Sequence, residues 1–282
     1  MTGPVKTVPL PDVVERWTNA VIDRHMGSMT TTEFLKAARA LSARYVERRS
    51  ELGKRSPIDS AGKRAAFAGF FAPLHLVTAI GAIHALGPAI APVSHLTDLG
   101  CGTGVASAAW ALTMPTPATI TGVDIDAWSL DEAVWNWRAL GLAGRTSRGD
   151  LLGGTAPQRR SRQSHGAEAI VLGWSVNELS PASRHQLLAT LLERVRRGVS
   201  LLVLEPLARS AVPWWADWSG PVLAAGGRAD EWKLNMRLPE RLQELDHAAG
   251  FRRDALGVRT LFVGPGRSDG APDLQVQGRP GI

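Results

Sequence analysis

A single cysteine, Cys101, is present among 282 residues. This excludes an intrachain disulfide framework, a thiolate zinc site and a cysteine-held iron–sulfur cluster. No apolar run follows the one basic residue of the first 13 positions, so no secretory signal is expected and the chain is placed in the cytoplasm. No segment recurs at a fixed period, which excludes a repeat array. Residues 65–93 contain no Asp, Glu, Lys or Arg. A run of that length tests as a membrane span, but Pro73, His75, Gly81 and His84 interrupt it and it passes directly into a strand. A buried helical pair is the expectation, with no membrane contact. Neither histidine has a ligand partner at i+4, so no metal site is expected.

What is present is enough for a folded core: 44% of the residues are hydrophobic and 21% charged. The length suits one large domain or one domain with an appendage. The formal charge of +6 is unevenly spread, since residues 96–150 carry a net −3 inside a basic chain. A basic excess attracts phosphate-rich partners, whereas this acidic island calls for a different ligand.

The first third reads as helix. Val13, Val14, Trp17, Ala20 and Val21 recur at helical spacing, and Thr30 with Glu33 forms a capping box opening a second helix that runs to about Gly53. Arg44, Arg48, Arg49, Lys54, Arg55, Lys63 and Arg64 gather in and after that helix. They read first as a solvated face and second as an RNA-contacting one. After residue 93 short apolar runs alternate with helices, the pattern of a parallel sheet covered on both faces. Strands are expected at 94–99, 118–124, 145–149, 169–174 and 199–205, with two more late in the chain. Helices are expected to open near Val105, Ser129, Pro181, Pro213 and Pro239, with Ser129 and Glu132 as a second capping box. The organisation expected is a helical extension over 1–92, an α/β domain over 93–264 and a loose tail over 265–282.

The strongest local signal is Asp98-Leu99-Gly100-Cys101-Gly102-Thr103-Gly104, where a strand ends and a helix begins. Glycines there let the backbone turn sharply and approach a nucleotide-like ligand. The next strand ends in Asp124, with Asp126 two residues on, at the distance a ribose-binding carboxylate requires. Asp150 closes the third strand and is suited to accept from an adenine amine. NAD or FAD brings a pyrophosphate, which favours a loop and helix start free of acids. Here Asp98 precedes the first glycine and Val105 stands where the fingerprint has its third. S-adenosylmethionine instead carries an ammonium and a sulfonium against one carboxylate, and an acidic pocket suits it. An NAD(P)-dependent oxidoreductase is the lower reading.

On these residues the chain resembles the class I S-adenosylmethionine-dependent methyltransferases, over roughly residues 94–263. The resemblance implies a Rossmann-like seven-stranded α/β sheet with helices on both faces and an antiparallel last strand at about 256–263. It implies that Asp98 holds the methionine part of the cofactor directly or through water, that Gly100, Gly102 and Gly104 line it with Cys101 in the same loop, that Asp124 binds the ribose and that Asp150 faces the adenine. The exit of the fourth strand, with Trp174, Asn177 and Glu178, is expected on the reactive side. Glu178 is a candidate to orient or deprotonate the acceptor, with Asn177 beside it, or to cap the helix that follows. Asn177 is not followed by the Pro-Pro-aromatic run of exocyclic base-nitrogen enzymes, so adenine-N6 chemistry is not expected.

A weaker resemblance, to the methyltransferase-like family associated with the small ribosomal subunit, rests on residues 174–179, Arg184, the run 202–206 ending in Glu205 and Pro206, and the basic helical N-terminal third. The acceptor it leaves open is a small molecule or an RNA or ribosomal component, and a non-catalytic cofactor-binding assembly factor is the alternative. Trp214, Trp215, Trp218 and Trp232 lie after the fifth strand. Packing of a helix onto the sheet is their first reading and an acceptor cage their second.

Overall fold

The computed structural model describes residues 8–27, 29–47, 58, 60–155, 167–251, 253 and 255–265. Its centre is a seven-stranded sheet: β1 (His95–Leu99), β2 (Thr119–Asp124), β3 (Gly144–Arg148), β4 (Glu168–Gly173), β5 (Ser200–Pro206), β6 (Arg228–Leu234) and β7 (Leu256–Val263). The spatial order is β3-β2-β1-β4-β5-β7-β6. The first five strands are parallel, and β7 runs antiparallel to both β5 and β6. This is the Rossmann-like α/β sheet that the resemblance implies, antiparallel last strand included. The order reverses between β1 and β4, so a crevice opens at their carboxyl ends, where such sheets bind ligands.

Helices cover both faces. One layer comprises α1 (Asp12–Met26), α2 (Thr31–Glu47), α3 (Ala61–Ala66), α4 (Ala72–Leu86), α5 (Val105–Leu112), α6 (Ala127–Ala139) and α9 (Glu240–Ala248). The other comprises α7 (Pro181–Arg196) and α8 (Trp215–Ala224). The charge-free run is a core element: with the end of α3 it forms a π-helical turn at Phe67–Phe71 and α4, which pass beneath the sheet, and 89% of the most apolar window of the helical stretch Ala61–Ala89 is buried in the fold. Its bulk lies against α5, β6 and β7. The N-terminal third therefore shares one core with the sheet, because an all-round apolar helix needs cover on every side.

The Thr30–Glu33 box forms, with the Glu33 amide donating to Thr30 Oγ1 at 3.3 Å and the Thr30 amide to Glu33 Oε2 at 2.9 Å. The second box does not. Asp126 caps α6 by accepting from the Ser129 amide at 2.8 Å, while Ser129 and Glu132 are buried within the helix. Glu132 is taken by long-range partners, Arg24 and His25, each at 2.9 Å. Ser180 caps α7, and α8 opens at Trp215, two residues beyond Pro213. Arg48, Arg49, Lys54 and Arg55 of the basic stretch, and residues 266–282 of the tail, lie outside the described residues. Arg64 is engaged in packing, donating to the Ile58 carbonyl at 3.2 Å and lying over the Trp128 ring.

Candidate functional site

The glycine loop leaves β1 and is tied at once to β2, since the Gly100 and Cys101 amides both donate to the Val123 carbonyl. Its glycines have different tasks. Gly102, at φ +50°, has no heavy atom within 4 Å of where a side chain would begin, and its amide donates to Asp124 Oδ2 at 2.8 Å. Gly104, at φ +75°, makes room for Trp137: a Cβ there would lie 2.7 Å from the indole, whose Nε1 donates to the Gly104 carbonyl. Gly100 likewise faces protein, with Ser175 Cβ 2.6 Å from its would-be Cβ. Gly100 and Gly102 are both partly exposed whereas Gly104 is buried, and of the three only Gly102 has open space in the direction a side chain would take.

Two further expectations change. The Cys101 side chain is buried and lies against Gly122 within the core, where burial, then Asp98 and Asp124, push its thiol well up; only its backbone belongs to the loop. Asp98 is fully buried. Its Oδ2 accepts from the Ser107 amide at 3.2 Å and hydroxyl at 2.6 Å, and Oδ1 has no partner. Burial raises its pKa to about 6; the Ser107 bonds oppose that shift and Asp124 adds to it. Asp98 thus lies under the loop and anchors the first turn of α5, with no surface for direct contact with a ligand. The same carboxyl occupies the helix N-terminus that a pyrophosphate would need, which counts against a dinucleotide.

Asp124 closes β2 half-buried. Its Oδ2 accepts from Gly102 and its Oδ1 from the Asp126 amide at 2.9 Å. Each oxygen keeps a lone pair for a further donor. Beside it Ile125 is 61% exposed, an apolar wall missed by the sequence reading although its place between Asp124 and Asp126 could have indicated it. Asp150 is exposed and closes the turn after β3, accepting from the Gly153 amide at 2.6 Å.

The exit of β4 forms the opposite bank. Trp174 is the one non-glycine residue with positive φ among those described, at +58°. Strain of this kind costs about 1–3 kcal/mol and persists only where the surroundings impose it. Here the Trp174 amide donates to the Leu204 carbonyl, and the indole stacks on His75 of α4 at 4.0 Å and 12°. His75 also meets Phe67 edge-on. Burial, helped by Arg253, lowers its pKa to about 4, so the stacked ring is neutral at pH 7. Ser175 Oγ donates to the Leu99 carbonyl at 3.1 Å, joining the two banks.

A 3-10 turn, Val176–Glu178, follows. Asn177 does not point a free amide at an acceptor: its Nδ2 donates to Glu205 Oε2 at 3.1 Å and its Oδ1 accepts from Trp214 Nε1 at 2.7 Å. It is a positioning residue. Glu178 differs. Ser180 performs the capping of α7, and no hydrogen bond is among the influences on the Glu178 carboxyl. The side chain is exposed; the protein around it and then the charge of Asp124 push its carboxyl pKa up to about 7. Asp124 closes β2 and Glu178 follows β4, and these parallel strands flank β1, so both residues stand at the same carboxyl-end edge of the sheet.

The tryptophans after β5 form no cage. Trp214 and Trp218 are buried and pack edge-to-face at 5.0 Å, while Trp232 is buried with its Nε1 on Thr260 Oγ1. A link invisible in the sequence ties the N-terminal helices to the loop. Trp17 Nε1 donates to Asn136 Oδ1, and Asn136 Nδ2 to the Thr103 carbonyl, both at 2.9 Å. Among the described residues no cluster of His, Cys, Asp and Glu could hold a metal ion.

No family model matches the chain, and no curated protein matches it. Several solved structures do. A protein of Nostoc punctiforme provisionally described as an O-methyltransferase is 15% identical, with 89% of this chain and 72% of that one covered and a TM-score of 0.49. Mitomycin 7-O-methyltransferase MmcR is 15% identical over 91% of this chain and 74% of its own, with a TM-score of 0.46. The 16S rRNA methylase RmtB is 15% identical over 90% of each chain, with a TM-score of 0.42. Likeness at this level leaves the chemistry to be read from the site's own residues.

Proposed function

We propose that this chain is an S-adenosylmethionine-dependent methyltransferase whose acceptor loses a proton from oxygen or nitrogen. The observation that carries the reading is the pairing of banks across the crevice. On one side Gly102 offers open backbone beside Asp124, whose oxygens each keep an acceptor site. On the other, Glu178 presents a carboxyl held by no hydrogen bond among the described residues. A nucleoside with a ribose diol and a flat base fits the first bank: Asp124 accepts from the hydroxyls, Ile125 covers the base, and Asp150 stands at the next strand end. Asp98 beneath the loop disfavours phosphate and leaves the acidic character that a cationic ligand requires.

S-adenosylmethionine supplies an electrophilic methyl carbon on its sulfonium. The protein's task is then alignment, exclusion of water and removal of the acceptor's proton. Glu178 takes that proton, and a pKa near neutrality matches it to the task. The strained Trp174, stacked on His75, closes the crevice beside it. The buried tryptophans withdraw the support they gave to a flat small-molecule acceptor, and most of the basic stretch lies outside the described residues, so the acceptor must be found by fractionation.

The test is a calorimetric titration with S-adenosylhomocysteine, followed by radiolabelled methyl transfer into separated RNA, protein and metabolite pools. Saturable binding with label in one pool supports the proposal and names the acceptor class. Binding without transfer into any pool overturns the catalytic part and leaves a cofactor-binding assembly factor.

A further inference from the structure

We propose that Glu205 is a positioning residue for Glu178: from the end of β5 it clamps the turn 176–178 through the Val176 amide and the Asn177 side chain. Its chemical purpose rests on the methyl-transfer reading; its geometry does not.

Glu205 is fully buried in a strand whose preceding residues, 201–204, are all buried and apolar. Taking a carboxylate out of water costs several kcal/mol, and an apolar residue of similar volume is often no less stable in such a place. Two of its contacts are donors of the turn 176–178. Oε1 accepts from the Val176 amide at 3.3 Å and Oε2 from Asn177 Nδ2 at 3.1 Å, while Asn177 passes the link to Trp214 at the head of α8. An apolar side chain would leave two donors of the same turn unpaired.

These bonds complete a set of restraints on residues 174–178. Trp174 is pinned by the His75 stack, Ser175 by the Leu99 carbonyl, Val176 by Glu205, and Asn177 by Glu205 and Trp214. The ties come from α4, β1, β5 and α8. Glu178, the last residue of the turn, has no side-chain hydrogen bond among the described residues and stands at the same sheet edge as Asp124. A reactive group carried by a segment locked from several directions is the arrangement that preorganisation requires.

Two variants test this. Glu205→Gln keeps the volume but offers one acceptor oxygen where two donors converge. Asn177→Ala removes one link and leaves Glu205 on the Val176 amide. Folding is judged by cooperative thermal melting, the clamp by the Trp214 indole N–H resonance, and positioning by the pH midpoint of Glu178 from carboxyl carbon NMR. In both variants the indole resonance should move, and the Glu178 midpoint should fall from near 7 by about one pH unit or more as the carboxyl gains water. An unmoved Glu178 midpoint in the folded variants overturns the proposal. Loss of cooperative melting in both assigns Glu205 to folding alone and overturns it equally. Titration of the wild type with S-adenosylhomocysteine separates the two ideas, since absent binding refutes the methyl-transfer reading while the Glu178 midpoint still judges the clamp.

Discussion

Asp98→Asn isolates the cost of the acid beneath the glycine loop. Asp98 is fully buried, with a pKa raised from 3.8 to about 6 chiefly by burial. The folded state therefore holds this proton more tightly than the unfolded chain. The favourable contribution is complete below about pH 4 and is lost as pH rises through 6. A shift of that size corresponds to roughly 3 kcal/mol at one pKa unit per 1.36 kcal/mol. Asparagine cannot ionise, and its amide oxygen can still accept from Ser107. The stability difference between variant and wild type should thus move by roughly 3 kcal/mol in the variant's favour between pH 4 and pH 8, whatever constant offset the amide brings. Urea unfolding followed by tryptophan fluorescence at a series of pH values measures it. Parallel stability curves for the two proteins would refute the reasoning.

His75 provides the opposite sign. Its folded pKa of about 4 lies below the ordinary histidine value of 6.5, so its contribution is present above 6.5 and lost as pH falls towards 4; His75→Phe should flatten that acid-side loss in the same unfolding series, by a few kcal/mol. Methyl transfer should rise with pH through about 7 as Glu178 ionises, and a Glu178→Gln variant that keeps the wild-type pH profile would remove Glu178 as the base. Gly144→Ala places a Cβ 2.3 Å from the Trp137 ring and should lower stability by about 1–3 kcal/mol, read as a lower melting temperature. Asn136→Ala cuts the link from Trp17 to the Thr103 carbonyl and should cost about 1–3 kcal/mol while weakening S-adenosylhomocysteine binding through a looser loop.

β1, β2, β4, β5 and β7 were legible because each holds a short apolar run, whereas β3 (Gly144–Arg148) and β6 (Arg228–Leu234) are largely polar. β7 falls at Leu256–Val263 as the resemblance implied, and β1 to β5 lie within one residue of their expected ends. The glycine loop and Asp124 were legible for the same local reason. What the sequence concealed depends on partners far along the chain. Ser129 and Glu132 have capping spacing, but Arg24 and His25 claim the glutamate and Asp126 takes the cap. Asn177 looked reactive until Glu205 and Trp214 were seen to occupy its amide. Gly104 looked like a ligand contact, yet it is small because Trp137, 33 residues away, fills the space. The strain at Trp174 and its stack on His75 leave no mark in spacing, because they arise only when α4 packs beneath the sheet.

The central claim is that the crevice between Asp124 and Glu178 takes a cationic nucleoside without phosphate. Calorimetric titration of the folded wild type with S-adenosylmethionine, alongside NAD as the comparison ligand, tests it most directly. A saturable single-site heat for the first, lost in Asp124→Ala, and none for the second is the predicted result. Heat from NAD alone, with protein that melts cooperatively, would contradict it.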